Sequence, residues 1–148
     1  MIRFLIVDDD TDDRELFCEA LTEVMPNSIC FNSPNGRRAI TALENREIDL
    51  PDLIFLDINM PVMNGWQCLS QLKENEAYKN IPVIIYSTSS YQEDIEKALH
   101  YGALCFFSKP SSFKDLKQSL MLVAYHIRNE SLASLVHSSP LFLTGSVE

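Results

Sequence analysis

Five short, nearly continuous apolar runs, each followed by a longer amphipathic stretch, constrain this chain more than any other feature. The first run is Ile2 to Val7, and weaker material at Ser28 to Phe31 forms the second. Leu53 to Leu56, Ile81 to Tyr86 and Ala103 to Phe107 are the third, fourth and fifth. Runs this short and unalternated suit strands buried on both faces, as in parallel sheets. Between them, apolar residues recur at helical spacing: Leu16, Phe17, Ala20, Leu21 and Val24 after the first run, and Ala39, Ile40 and Leu43 after the second. Trp66, Leu69 and Leu72 follow the third, Ile95, Ala98 and Leu99 the fourth, and Phe113 to Ile127 the last. Strand and helix alternating at this spacing imply an α/β fold, a (βα)5 doubly wound parallel sheet with helices on both faces.

Pro26-Asn27, Asn35-Gly36 and Asn64-Gly65 mark loops, and Gly102 suits the stop of the fourth helix. Beyond about Asn129 the periodicity loosens, and residues 129–148 read as a tail, partly helical and then flexible. Leu141-Phe142-Leu143 is an apolar patch within it that can dock on the domain or a partner, but a flexible terminus is the favoured account.

The net charge of −9 argues against direct DNA binding, because phosphate backbones require a basic face. The opening residues meet charge at Asp8, too soon for a signal peptide or a membrane span, so a cytoplasmic protein is expected. Cys18, Cys30, Cys68 and Cys105 show no C-x-x-C spacing, and the histidines complete no zinc pattern, so four reduced, buried thiols are expected.

Ligands of open parallel sheets bind at the carboxyl ends of the strands. Asp8, Asp9 and Asp10 follow the first run, Asp57 and then Asn59 the third, Ser87 the fourth, and Ser108, Lys109 and Pro110 the fifth. Each has a bland explanation alone: one acid caps a helix, one ends a turn, a serine sits in a loop, a lysine is solvated. Together they place acids, a hydroxyl and one lysine on a single rim. Carboxylates from neighbouring strand ends repel one another unless a divalent cation joins them, and incomplete oxygen ligation suits Mg2+. A lysine and a hydroxyl beside that metal complete a phosphoryl-binding site, where a carboxylate oxygen attacks in line.

These residues resemble the response regulator receiver domain of two-component signalling. The features that carry the resemblance are Val7-Asp8-Asp9, the stretch Asp57-Ile58-Asn59-Met60-Pro61-Val62-Met63-Asn64-Gly65, the Ser87 hydroxyl and Lys109-Pro110. It covers roughly residues 2–128, which sets the domain at residues 1–128, and implies a five-stranded sheet of order 2-1-3-4-5. No output domain follows, so the stand-alone receivers are the expected comparison. The resemblance implies that Asp57 accepts a phosphoryl group from a sensor histidine kinase or a phosphotransfer protein. It implies Mg2+ held by Asp8, Asp9, Asp57 and the carbonyl of Asn59, with Lys109 and Ser87 contacting the phosphoryl group. It implies a cis Lys109–Pro110 peptide and a switch formed by Ser87 and Phe106. The family more often has Thr and Tyr at those two positions; Ser keeps the donor, whereas Phe lacks a hydroxyl for a partner to read. Asn59 and Ser89 fall where autodephosphorylation is tuned.

A phosphoryl group brings about −1.5 to −2 charge. Moving a surface from 1:99 to 99:1 takes about 5.5 kcal/mol of differential interaction, a scale that a few charge-assisted hydrogen bonds approach. The fourth helix, fifth strand and fifth helix form the expected output face, with Tyr91 and Phe106 as readout residues and a phosphate-driven homodimer as one outcome. The downstream target is not legible.

Three other readings fare worse. A haloacid-dehalogenase-type phosphohydrolase wants D-x-D-x-T, but here Asp12 stands where the Thr belongs, and the chain has no room for a cap domain. A receiver-like binding module that takes no phosphate would lack an acid or the lysine. A flavin carrier would place Ser, Thr and Gly, not Asp, in its first loop.

Overall fold

The structure is a computed structural model, and it describes residues 1–89, 91–137 and 139–143. Strands β1 (Arg3–Val7), β2 (Ile29–Ser33), β3 (Leu53–Leu56), β4 (Val83–Ser87) and β5 (Cys105–Ser108) alternate with helices. Those helices are α1 (Thr11–Val24), α2 (Gly36–Glu44), α3 (Gly65–Glu74), α4 (Gln92–His100) and α5 (Phe113–Arg128). A 3-10 helix (Leu132–His137) and a two-residue strand β6 (Phe142–Leu143) follow. The sheet order is β2-β1-β3-β4-β5-β6, parallel throughout except for the antiparallel β5–β6 pair.

Strand pleating sends alternate residues to opposite faces. Leu5, Val7, Ile54, Leu56, Val83, Ile85 and Phe106 pack with residues of α2, α3 and α4. Phe4, Ile6, Leu53, Phe55, Ile84, Tyr86, Cys105 and Phe107 pack with α1 and α5. β1 and β3 are thus buried on both sides, which is why their sequences lack alternation.

Polar caps fix where the helices begin. Asp10 accepts from the Asp13 N–H, Asn35 from Arg38 and Ser112 from Asp115. Asn64 and Gln67 form a reciprocal capping box at α3. Gly102, at φ 97°, closes α4 as the loop signal predicts.

Several boundaries move from their expected places. β2 runs on to Ser33 through the exposed Asn32, because an edge strand needs no continuous apolar run. β4 starts at Val83, because Pro82 has no N–H to give to a ladder, although its carbonyl still accepts the Ile54 N–H. β5 starts at Cys105, because the Ala103 N–H turns back to the Ala98 carbonyl and finishes the α4 turn.

The larger departures concern cysteines and tail. Cys18 and Cys30 form a disulfide with Cα atoms 5.6 Å apart, not two free thiols. They stand 12 residues apart in sequence and meet because α1 packs over β2. Cys68 and Cys105 are free and buried, and burial pushes both thiols up to about 12. Residues 141–143 dock on the domain instead of forming a flexible end. Phe142 stacks on Phe107 with ring centroids 4.4 Å apart, and the Ser108 N–H donates to the Leu141 carbonyl. Residues 144–148 of the expected flexible stretch lie outside the described residues. No described helix is long and apolar enough to cross a membrane.

Candidate functional site

Parallel strands bring their carboxyl ends to one rim, and the polar residues that follow each apolar run gather there. Asp8, directly after β1, is fully buried. Its Oδ1 accepts the Asp10 N–H at 2.9 Å. Its Oδ2 lies 2.7 Å from Lys109 Nζ but is not aligned with any donor for a hydrogen bond. Asp57, directly after β3, is 7% exposed, and its Oδ1 accepts the Ile58 N–H at 2.8 Å. Asp9 is exposed. One carboxylate oxygen each from Asp8, Asp9 and Asp57 fall within 4.8 Å of one another.

Lys109 follows β5 and reaches back across the rim. Its Nζ is 2.7 Å from Asp8, 2.9 Å from Asp13 and 4.0 Å from Asp57, and it lies 5.2 Å from the centroid of the Tyr86 ring. The Lys109 N–H donates to the Ser87 carbonyl, which fastens the ends of β4 and β5 together. Burial opposes the ammonium charge, but the carboxylates of Asp8, Asp13 and Asp57 outweigh it and raise the Lys109 pKa. Asp57 goes the other way from an ordinary carboxyl. Burial raises it, Lys109 partly compensates, the charges of Asp8 and Asp9 add to the rise, and the result is about 6.

Ser87 is buried at the end of β4, and its Oγ accepts the Ser89 N–H at 3.1 Å, which leaves its own proton free to be donated elsewhere. Asn59 sits on the loop after β3 with an exposed side chain. Ser89 donates to the Asp94 carboxylate at 2.8 Å. Phe106 is fully buried in the core beneath α2, α3 and α4, and Tyr91 is 74% exposed. The Lys109–Pro110 peptide is trans, where the resemblance implies cis; a tertiary amide separates the isomers by only about 0.5–1 kcal/mol.

The loop between β3 and α3 is shaped by close approach. The Gly65 N–H donates to the Ile58 carbonyl at 2.8 Å, and a Cβ at Gly65 would overlap the Asp57 carbonyl oxygen. Val62 holds φ 68° there, a left-handed value that a β-branched residue rarely adopts.

Two residues of the site escape a reading of strand ends. Asp13 lies in the first turn of α1 and pairs with Lys109. Arg14, beside it, donates to the Asp8 carbonyl at 2.7 Å. The available signal is that α1 starts at the same rim, so its first turn borders whatever binds there.

The donor set fits a hard divalent cation. Three carboxylates converge, one buried oxygen of Asp8 has no aligned donor, and burial with two neighbouring carboxylates raises the Asp57 pKa to about 6, a crowding of negative charge that a cation would relieve.

Comparison with known proteins agrees. The family model of the response regulator receiver domain matches residues 4–121. The protein-glutamate methylesterase/protein-glutamine glutaminase of Bacillus subtilis (strain 168) is 34% identical over 138 residues, covering 92% of this chain and 35% of that protein. The chain spans about a third of the length of the curated relatives it matches first. The phosphorylated cyanobacterial phytochrome response regulator RcpA superposes with a TM-score of 0.78 at 26% identity, over 84% of this chain and 92% of that one. The response regulator Rcp1, solved in a Mn2+-bound form, gives 0.73 at 26% identity, over 82% and 90%. Receiver domains bind Mg2+ or Mn2+ at an acidic pocket, and histidine kinases or phosphotransfer proteins phosphorylate them. With its sheet order, its acidic rim and this match, the chain belongs to the response regulator receiver domain family.

Proposed function

We propose that Asp57 is the phosphoacceptor of this receiver domain. The observation that carries the reading is the setting of its carboxylate. It is nearly buried at a strand end, 4.0 Å from a lysine ammonium and within 4.8 Å of two further carboxylates. A carboxylate oxygen of Asp57 attacks the phosphorus of a phosphohistidine on a kinase or phosphotransfer protein. The P–N bond breaks, its electron pair stays on the imidazole nitrogen, and a P–O bond forms on Asp57. Asp8, Asp9, Asp57 and the Asn59 carbonyl would hold Mg2+, which when bound neutralises charge on the transferring group. Lys109 meets the phosphoryl oxygens from the β5 side, and the free proton of the Ser87 hydroxyl donates to them from β4.

The signal then passes to the α4–β5–α5 face. The Lys109 N–H bond to the Ser87 carbonyl couples the two strand ends that would move together. Phe106, packed inward, is the side chain whose rearrangement would accompany that movement. The chain acts as a phosphoacceptor and catalyses only its own phosphorylation and dephosphorylation. It works in the cytoplasm, where kinase domains and small phosphodonors are available.

Incubation with acetyl phosphate and Mg2+ is expected to add one hydroxylamine-labile phosphoryl group by intact-mass spectrometry. Asp57→Asn should remove the adduct; labelling of that variant at the wild-type level would refute the assignment.

A further inference from the structure

Lys109 is held by more carboxylate than a phosphoryl-binding lysine requires. Asp8 and Asp13 sit at 2.7 and 2.9 Å from Nζ, whereas Asp57 is at 4.0 Å. Asp13 is not a strand-end acid. Its place is set by α1, whose N-cap Asp10 accepts the Asp13 N–H at 3.0 Å, so the carboxylate is presented from a fixed helical turn. Lys109 and Asp13 also line a cleft of about 180 Å3 with Tyr86, Pro110 and Phe113, on the α1–α5 side of the sheet. The lysine therefore lies between two anionic neighbourhoods, the acidic rim on one side and the first turn of α1 on the other. An ammonium has three donors and no acceptor, so every bond it gives to Asp13 is one withheld from an anion on Asp57.

The side chains differ in solvation as well. Lys109 is 10% exposed and Asp13 is 37% exposed. Releasing Asp13 to water costs little, whereas Lys109 cannot follow it out and must find another anion. An arriving phosphoryl group offers that partner. Asp12, one residue earlier and exposed, carries the same charge on the same turn but is not among the ion-pair partners of Lys109.

We propose that Asp13 is a positioning residue that holds Lys109 back from Asp57 in the unphosphorylated protein and so raises the threshold for the switched state. The inference rests on the roles of Asp57 and Lys109 given above. It adds that part of the switch is a competition between two anions for one ammonium, written into α1.

The test is a beryllofluoride titration in Mg2+, followed by fluorine NMR, on the wild type and on Asp13→Asn, Asp12→Asn and Asp57→Asn. Asp13→Asn should bind the phosphoryl mimic about tenfold more tightly, the scale of one charge-assisted hydrogen bond. Asp12→Asn, which removes the same charge, should match the wild type. In the absence of the mimic, the backbone amides of Ser87, Ser108 and Lys109 in Asp13→Asn should shift part of the way toward their positions in the wild-type complex. Equal affinity of the Asp13 and Asp12 variants overturns the inference, as does weaker binding by Asp13→Asn or an amide spectrum that does not move toward the complex. Failure of the wild type to form an adduct that Asp57→Asn removes would overturn the phosphoacceptor reading itself, a result distinct from a wild type that binds while Asp13→Asn binds no better.

Discussion

Asp57 is caught between burial and its neighbours. An ordinary carboxyl titrates near 4, and burial together with the Asp8 and Asp9 charges lifts this one to about 6 despite Lys109. Its folded pKa is therefore above its unfolded pKa, so between about pH 4 and 6 the folded protein binds more protons. Stability contributed by this group is full below pH 4 and lost as the pH rises through 6. At neutral pH the ionised side chain costs the apo fold about 1–3 kcal/mol. Asp57→Asn should accordingly be more stable than the wild type in urea unfolding at pH 7.5 without Mg2+, and the gap should close toward pH 4. A pH-independent gap would contradict this origin. At the same scale, Asp8, Asp9, Asp57, Ser87 and Lys109 are legible because each directly follows an apolar run or its turn. Asp13 and Arg14 are not, because their approach to Lys109 and Asp8 depends on where the axis of α1 passes over the rim. The inward direction of Phe106 also needs the strand's neighbours, since every residue of Cys105–Phe107 is buried and no alternation betrays which face it takes.

Among the elements, the alternation of strands and helices is readable because apolar periodicity reports burial, and capping residues report helix starts. The last element is different. Leu141-Phe142-Leu143 is visible as an apolar patch, but a two-residue strand has no periodicity, and its place on β5 is a purely tertiary choice. Phe142 is 2% exposed and stacked on Phe107, so it is the anchor of the segment. Phe142→Ala should cost up to about 3 kcal/mol, less than a central Phe if the segment can detach while the domain stays folded. The distinguishing measurement is amide exchange. The Ser108 N–H, which donates to the Leu141 carbonyl, should lose protection, while β1 and β3 keep theirs. Uniform loss across the sheet would show that β6 is integral to the core.

For the molecule as a whole, the strand–helix alternation requires right-handed crossovers that cover both faces, whereas the particular order β2-β1-β3-β4-β5 is what the family resemblance implies and the structure shows. The Cys18–Cys30 bond does not follow from spacing, because it records packing of α1 over β2. Closing that loop of about a dozen residues restricts the unfolded chain, an effect worth about 3 kcal/mol at this size. Reductant should therefore lower the melting temperature of the wild type by several degrees and leave a Cys18→Ser/Cys30→Ser protein unchanged. Identical melting of the wild type with and without reductant would mean that the bond adds no stability.

The seat of β6 also bears on solubility. β5 without it would be the outer strand of the sheet, with Cys105, Phe106 and Phe107 presenting unpaired backbone amides and carbonyls beside large apolar side chains. Such edges recruit strands from other molecules and lead to aggregation. Phe142 and Leu143 close that seam with two residues. Phe142 and Leu143 thus act as gatekeepers against intermolecular β-pairing at β5.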